Sequence, residues 1–165
     1  EADYTINFDS TLITLAAQYG IHDYDNGNES TVYGFKIEAK HDSGLSSKVA
    51  YMGVDGVAAS NFFGGGPYYT NRRNIILVNG GDNAKAWLGN IAYDLSKIGI
   101  NGVKVQLYYL NMQRELLDDI NEIDIELDYR YSDNLSLQVT YSDIEDKQNN
   151  NNSFGNLRAY INYHF

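Results

Sequence analysis

Four carboxylates recur at every second position of one short segment. They are Glu122, Asp124, Glu126 and Asp128, and the positions between them are apolar. Successive side chains of a β-strand point to opposite faces, so the four carboxylates would share one face at spacings of about 7 Å. Such a row could bind cationic groups on neighbouring strands. It could instead set the electric field in a water-filled passage and orient dipolar solutes such as amino acids.

Two other segments contain reactive residue types, but neither predicts catalysis or metal binding. His41, Asp42 and Ser43 are the residue types of a catalytic triad, yet three consecutive residues in a tight turn cannot form its hydrogen-bonded series. Residues 23–29 are rich in acids and amides like a calcium loop, but Gly27 comes one position too early for an EF-hand. We therefore predict no enzyme activity, no catalytic residues, no metal site and no cofactor.

The composition limits the class of protein. The 165 residues suit one domain, and 22 acidic against 12 basic residues give a net charge of −10, which argues against nucleic-acid binding. The absence of cysteine excludes disulfides and thiolate chemistry. No apolar run reaches the length of about eighteen residues that a spanning helix needs. No signal-peptide pattern begins at Glu1, so we expect a mature chain or a fragment.

Apolar and polar residues alternate over most of the chain, which is the pattern of strands with two unlike faces. Fifteen tyrosines and fifteen glycines agree with this pattern, since aromatic residues favour strands and glycines favour the turns between them. Residues 2–8 resemble the end of a ninth strand. The other eight predicted strands are 11–21, 31–41, 45–54, 85–93, 103–111, 121–131, 135–143 and 156–165.

Short connections alternate with long ones, as in a transmembrane β-barrel with turns at one rim and loops at the other. The predicted strand lengths also match a tilted membrane crossing of about nine to eleven residues, whereas strands of soluble proteins commonly have about five or six. We predict an all-β chain in which residues 1–165 form a single antiparallel β-barrel domain or the C-terminal fragment of one. The short connections are 42–44, 94–101 and 132–134, the long ones are 22–30, 55–84 and 144–155, and the brief link 112–120 falls where a long one is expected.

The apolar face would contact lipid, and the charged face would contact water. Tyrosines and Trp87 cluster near the ends of the apolar face, as in the aromatic girdles of a membrane barrel. Among the predicted strands this face carries one charge, Lys85. A cation directed at lipid near the midplane costs roughly 2–4 kcal/mol, so the register is strongly specified. The predicted pore-lining residues are Lys36, Glu38, Lys40, Lys48, Lys104, Glu122, Asp124, Glu126, Asp128, Arg130 and Arg158.

The turn at residues 132–134 predicts how neighbouring strands align. If this turn sets the register, Asp128 lies opposite Gln138. One strand farther on, Arg158 is expected in the row of Asp124. Opposite charges in one row would stabilise the wall by cross-strand pairing.

The last residues of the chain, LRAYINYHF (157–165), place apolar side chains at every second position and end on an aromatic residue. They resemble the C-terminal assembly signal of bacterial outer-membrane barrels. Four other segments are GGGPYYT (64–70), WLGNIAYD (87–94), NGVK (101–104) and LSLQVTYSD (135–143). Together the five segments resemble the C-terminal part of an OprD-family outer-membrane porin, including the porins of this type in campylobacter-like bacteria.

The resemblance implies an eighteen-stranded barrel, of which this chain would form just under half, with further residues upstream of Glu1. It also implies that residues 55–84 are the seventh extracellular loop, which in this family folds inward and narrows the channel. Arg72 and Arg73 are therefore candidate constriction residues; alternatively, they lie in solvent or bind lipopolysaccharide phosphate. The family typically has a ladder of arginines on its wall, whereas most wall cations here are lysines, which are point charges and not bidentate forks.

The sequence supports three functional hypotheses. The leading one is an outer-membrane porin, or a fragment of one, that allows passive diffusion of small hydrophilic solutes or ions. The second is a complete eight-stranded outer-membrane barrel that acts as a structural anchor or surface interaction protein. The third is a soluble ligand-binding barrel with its apolar face inward. The expected partners are outer-membrane lipid, lipopolysaccharide and small hydrophilic solutes, with a homo-oligomer left open and nucleic acid excluded.

Overall fold

A computed structural model describes residues 1–59, 68–148 and 152–164. Within these ranges, nine antiparallel strands form one sheet, and each strand pairs with its neighbours in the sequence. Two short 3-10 helices, Leu77–Gly80 and Leu95–Ile98, lie in the connections. The strands are β1 (Ala2–Phe8), β2 (Thr11–Asp23), β3 (Glu29–His41), β4 (Leu45–Gly56), β5 (Lys85–Asp94), β6 (Val103–Gln113), β7 (Ile120–Arg130), β8 (Leu135–Asp146) and β9 (Phe154–Tyr163).

The predicted all-β fold with eight strands and a further N-terminal one is confirmed. Several strands extend farther than predicted at the ends that join the long loops. β2 continues to Asp23, and β8 continues to Asp146. Backbone pairing continues there because it does not require an apolar face. Phe165, the predicted end of the last strand, lies outside the described residues.

The register across β6, β7 and β8 follows from the tight turn at residues 132–134. Asp128 of β7 pairs with Gln138 of β8, as predicted. On its other side, Asp128 pairs with Lys104 of β6. The turn and the alternation of the two faces are sufficient to specify this row, because a slip of one residue would turn every side chain to the opposite face.

The predicted position of Arg158 was wrong. Arg158 pairs with Thr140, and Thr140 pairs with Glu126, so Arg158 lies in the row of Glu126 and not in that of Asp124. The difference is one step of two residues along β9. β8 and β9 are joined by a long loop, whose length does not fix the register as a tight turn does.

The two faces of the sheet differ sharply in chemistry. On one face, large apolar side chains are exposed: Leu107, Ile125 and Leu127 are 46%, 52% and 40% exposed. On the other face, Glu122 and Asp124 are buried. This distribution is the reverse of that in soluble proteins, which bury apolar side chains and leave charged ones in water. No helix in the described part of the chain is long and apolar enough to cross a membrane.

Aromatic rings form a cluster on the exposed apolar face of β3, β4 and β5. The ring centroids of Tyr51 and Trp87 are 4.6 Å apart, and that of Phe35 lies 5.7 Å and 5.8 Å from them. Tyr33 extends the cluster, with its centroid 6.3 Å from that of Tyr51. Such packing of aromatic rings on the exposed apolar face agrees with the aromatic girdle of a membrane barrel.

The apolar face has a charged margin at the ends of the strands that join the long loops. The prediction of a single charge, Lys85, was wrong, because Asp143 and Glu145 also lie on this face, opposite Ile123 and Asn121. The side-chain amide of Asn121 donates to Glu145 Oε2 at 2.9 Å. A charged side chain on the lipid-facing surface has a low free-energy cost only near or beyond the membrane–water interface. These acids therefore mark the level at which the strands extend out of the hydrocarbon layer.

Replacing Gly34 with alanine is expected to destabilise the sheet. A Cβ atom at Gly34 would collide with the Sδ atom of Met52 and the backbone carbonyl oxygen of Tyr51. Overpacking of this kind costs roughly 1–3 kcal/mol. Gly89→Ala is the matched control, since nothing lies within 4 Å of its added Cβ. Thermal unfolding in detergent should show a lower midpoint for Gly34→Ala only, and equal midpoints would contradict the close contact.

Candidate functional site

The long connection between β4 and β5 crosses the charged face of the sheet. We call residues 57–84 the inward loop; its described parts are 57–59 and 68–84. Its base is closed by side chains that accept hydrogen bonds from backbone N–H groups: Asp82 Oδ1 from Ala58 and Asn83 Oδ1 from Gly56, both at 2.8 Å. The loop therefore leaves and re-enters the sheet at one place, while its middle part reaches toward β7, β8 and β9.

A buried apolar cluster holds the inward loop against the charged face, near the strand ends that join the long loops. The sequence analysis missed this contact, because it treated that face as uniformly polar. The available signal was the apolar character of both faces of β5 and β6 near the long loops, where Leu88 and Leu110 replace polar residues. The cluster joins Ala59, Tyr68, Tyr69, Ile75, Leu77 and Ala84 of the loop to Ala16, Val32, Ala50, Met52, Val54, Ala86, Leu88, Leu110, Met112 and Ile144.

A tight turn in the inward loop presents two arginines to the sheet. The backbone N–H of Arg72 donates to the carbonyl oxygen of Ile75 at 2.8 Å. The side-chain oxygen of Asn71 accepts from the N–H of Leu77 at 2.8 Å. Asparagine is favoured in such a turn because its side chain can replace a backbone hydrogen-bond partner. Arg72 and Arg73 thus project from a constrained backbone.

Arg72 lies between two carboxylates and an aromatic ring. Its Nε donates to Asp124 Oδ2 at 2.6 Å, and its Nη2 donates to Glu126 Oε1. Its guanidinium carbon lies 3.5 Å from the ring centroid of Tyr108. Burial is the largest single influence and favours loss of the charge, but the hydrogen bonds and charges of Glu126 and Asp124 outweigh it. They raise the pKa of Arg72 above its ordinary value, so this guanidinium stays charged.

Arg73 extends the contact from β7 to β8. Its Nε donates to Glu126 Oε1 at 3.3 Å, and its Nη2 donates to the side-chain oxygen of Gln138. The guanidinium carbon is 5.2 Å from the ring centroid of Tyr160. Arg73 is the more exposed of the two arginines, with 25% of its side chain exposed against 11% for Arg72.

Asn74 and Ile75 connect the inward loop to Glu122. The side-chain amide of Asn74 donates to Glu122 Oε1 at 2.6 Å, and the N–H of Ile75 donates to Glu122 Oε2 at 2.9 Å. Arg158 of β9 in turn donates to the side-chain oxygen of Asn74. Beneath the loop, Asp124 and Glu126 are therefore paired with arginines, and Glu122 accepts hydrogen bonds from uncharged groups, because buried carboxylates must have partners to be tolerated.

The remaining predicted wall residues lie on the same face, toward the short turns. Lys36 Nζ is 3.6 Å from Glu38 Oε1, and Glu38 lies opposite Lys48. A groove of about 210 Å³ is lined in part by Lys40, Lys48 and Lys104. A larger groove of about 620 Å³ lies near the short-turn rim, and its lining includes Lys104, Asp128 and Arg130. The role of all eleven residues in lining a pore stays a prediction.

Residues 41–43 and 23–29, the two segments that contain reactive residue types, lie at turns between strands. His41 Nδ1 lies 2.8 Å from Ser43 Oγ, and its Nε2 lies 2.9 Å from Ser10 Oγ. Both ring nitrogens therefore contact serine hydroxyls, whereas a Ser-His-Asp series would have a carboxylate on one of them. Within residues 1–59, 68–148 and 152–164, no three His, Asp or Glu side chains form a group that could hold a metal ion. Residues 64–67, which contributed to the family resemblance, lie outside the described residues.

These features define a class of protein. An antiparallel wall with an apolar outer face, an aromatic girdle, a charged inner face and short turns alternating with long loops is the architecture of an outer-membrane β-barrel. No protein-family model matches this sequence, and no curated protein matches it.

Solved porin structures share the fold of this chain. A BenF-like porin from Pseudomonas fluorescens Pf-5 matches 98% of the chain with a TM-score of 0.77 and 19% identity. OccAB4 of Acinetobacter baumannii matches 98% with a TM-score of 0.77 and 17% identity. The outer membrane protein OprD from Pseudomonas aeruginosa matches 98% with a TM-score of 0.74 and 15% identity. The resemblance to OprD-type porins is thus confirmed for the fold.

The match covers only part of each similar structure. It covers 46% of the BenF-like porin, 44% of OccAB4 and 50% of OprD. The chain therefore spans about half the length of these structures and corresponds to about half of a barrel wall.

Proposed function

We propose that this chain forms about half the wall of a bacterial outer-membrane porin through which small hydrophilic solutes diffuse passively. The observation that carries the proposal is the inward loop, which crosses a charged inner face while the opposite face exposes apolar side chains. A charged face lined by water and an apolar face in lipid are what a channel requires. The protein would lie among outer-membrane lipids and lipopolysaccharide.

The position of Arg72 and Arg73 supports a constriction in preference to a lipopolysaccharide contact. Both guanidinium groups contact β7 side chains on the charged face, directed away from the lipid-facing side. The loop that carries them occupies space that would otherwise belong to the channel. We infer that this loop narrows the passage from one side.

The unburied charges of the inner face favour anions weakly. Lys40, Lys48 and Lys104 lie around one groove together with a single acid, Glu38. Asp124 and Glu126 beneath the loop are already paired with arginines, so these two carboxylates contribute little to the field at a distance. Because lysines bind carboxylates without bidentate geometry, the expected selectivity is modest.

The strand arrangement disfavours a complete eight-stranded anchor. The sheet has nine strands, with β1 and β9 at the two ends of its order. A strand edge cannot remain unpaired in hydrocarbon, so both edges require further strands. We infer that those strands complete a wider barrel, in which hydrated wall charges have room.

Planar-bilayer recording of the intact protein tests the proposal. A porin is expected to produce discrete conductance steps, and liposomes that contain it should swell in small sugars and amino acids but not in large oligosaccharides. A protein that folds and inserts, as shown by heat-modifiable migration on gels, but gives neither steps nor swelling would contradict the porin function. That outcome would favour an anchoring or surface-binding role.

A further inference from the structure

We propose that Glu122, Asp124 and Glu126, here called the β7 carboxylates, are the receptor that holds the inward loop across the channel. These acids would then set the width of the passage without facing the solute themselves. The inference rests on the proposed porin function only in that the loop narrows a channel. The loop's attachment to the wall is a separate property that can be measured without transport.

Each of the β7 carboxylates has a specific partner in the loop. Glu122 accepts from the N–H of Ile75 at 2.9 Å, and Asp124 accepts from Arg72 at 2.6 Å. Glu126 accepts from both Arg72 and Arg73. The three acids are at most 3% exposed, so their contacts are shielded from water. Electrostatic attraction is stronger in such surroundings than at an exposed surface.

The next acid in the row shows that this attachment depends on position. Asp128 lies on the same strand and the same face as the β7 carboxylates. It accepts instead from two wall residues, from Gln106 at 2.7 Å and from Gln138 at 2.6 Å. The fourth carboxylate therefore supports the wall, while the other three bind the loop, and Asp128 offers a matched control.

Polar contacts determine how far the loop extends across the face. The apolar cluster fixes the loop mainly to β4, β5 and β6. Arg72 and Arg73 contact β7 and β8 through hydrogen bonds and ion pairs, and their cation–π contacts are with Tyr108 of β6 and Tyr160 of β9. Without acceptors on β7, the two arginines would be buried cations with no compensating charge, and they would return to water. The part of the loop around Arg72 and Arg73 would then move away from the wall, while the apolar cluster stays packed.

A cysteine reporter can detect this lifting because the chain contains no cysteine. Thr70 of the inward loop is 1% exposed, and its hydroxyl has no hydrogen-bond partner, so Thr70→Cys should be tolerated. In the intact protein, labelling of this cysteine by a water-soluble maleimide should be slow. Adding Glu122→Gln, Asp124→Asn and Glu126→Gln should accelerate labelling on the order of tenfold or more, since buried pairs broken on one side are strongly destabilised.

Two controls make the labelling result decisive. Asp128→Asn in the same reporter background should change the labelling rate far less, because the asparagine oxygen can still accept from Gln138, which in turn binds Arg73. Glu126→Gln alone gives a milder variant if the triple variant fails to fold, and heat-modifiable migration verifies folding of each. Slow labelling of the folded triple variant, or equal acceleration by Asp128→Asn, would overturn the proposal.

The direction in which ion selectivity changes distinguishes carboxylates that bind the loop arginines from carboxylates that only stabilise the fold. Neutralising the β7 carboxylates leaves arginines uncompensated and should shift the reversal potential toward anions. Neutralising Arg72 should shift it toward cations, and the effects of Arg72→Gln and Glu126→Gln on labelling should be strongly non-additive. Shifts of the same sign together with additive labelling effects would overturn the proposal. A protein without conductance would refute the porin function but would leave the labelling test intact.

Discussion

Replacing Arg72 and Arg73 together with alanine is expected to make the proposed channel several-fold more permeable to cations relative to anions. The two guanidinium groups compensate Asp124 and Glu126, which are almost fully buried beneath the loop. Their removal leaves carboxylates with no loop cation at the narrowest part of the proposed passage. Reversal potentials under a salt gradient in planar bilayers measure the change, and low ionic strength enlarges it because salt screens charges beyond about 10 Å at 0.1 M.

Arg130→Ala is the matched control for this double variant. Arg130 lies on the same face near the short-turn rim and is exposed, so water already screens its charge. Its removal should change the permeability ratio much less. If the reversal potential of the double variant stays at the wild-type value, or moves no farther than that of Arg130→Ala, the two arginines do not belong to the constriction.

The alternating pattern predicts the barrel wall because a membrane strand must direct apolar side chains to lipid and charged side chains away from it. Ile123, Ile125 and Leu127 alternate with charges, and only one register keeps all of those charges out of lipid. The tight turn at residues 132–134 then fixes the pairing of β7 with β8. The strand ends were less predictable, since pairing continues above the membrane, where no apolar pattern marks it.

The attachment of the loop could not be predicted in the same way. Arg72 and Asp124 are far apart in the sequence, and the path between them depends on how residues 57–84 pack. Alternation describes neighbours on one strand but gives no information on which distant segment covers a face. For the same reason the row of Arg158 was misplaced, because a long loop allows several registers.

The contacts of the four carboxylates on β7 show which of them bind the loop and which bind the wall. From the sequence, four carboxylates in line suggest either a field across a channel or pairing within the wall. The contacts divide them: Glu122, Asp124 and Glu126 bind the loop, and Asp128 binds its wall neighbours. Pairing within the wall therefore accounts for Asp128 alone, and the field of the proposed passage would depend more on the lysines of β3, β4 and β6.

Replacing Leu127 or Ile125 with arginine is expected to block assembly of the barrel. Both side chains lie on the exposed apolar face, and Leu127 is flanked by Val105 and Val139 on the neighbouring strands. An arginine at this level would face hydrocarbon and cost roughly 2–4 kcal/mol, a large fraction of the stability of a protein domain. The folded fraction, measured by heat-modifiable migration of the outer-membrane material, should fall sharply.

The control for this prediction places the same cation on the opposite face. Gln106 lies on β6 opposite Glu126, so Gln106→Arg adds a charge to the charged face next to acids. This variant should assemble normally, because the same side chain then has water and carboxylates around it. Assembly of Leu127→Arg and Ile125→Arg as complete as that of Gln106→Arg would show that the apolar face does not contact lipid, and the assignment of the two faces would have to be reversed.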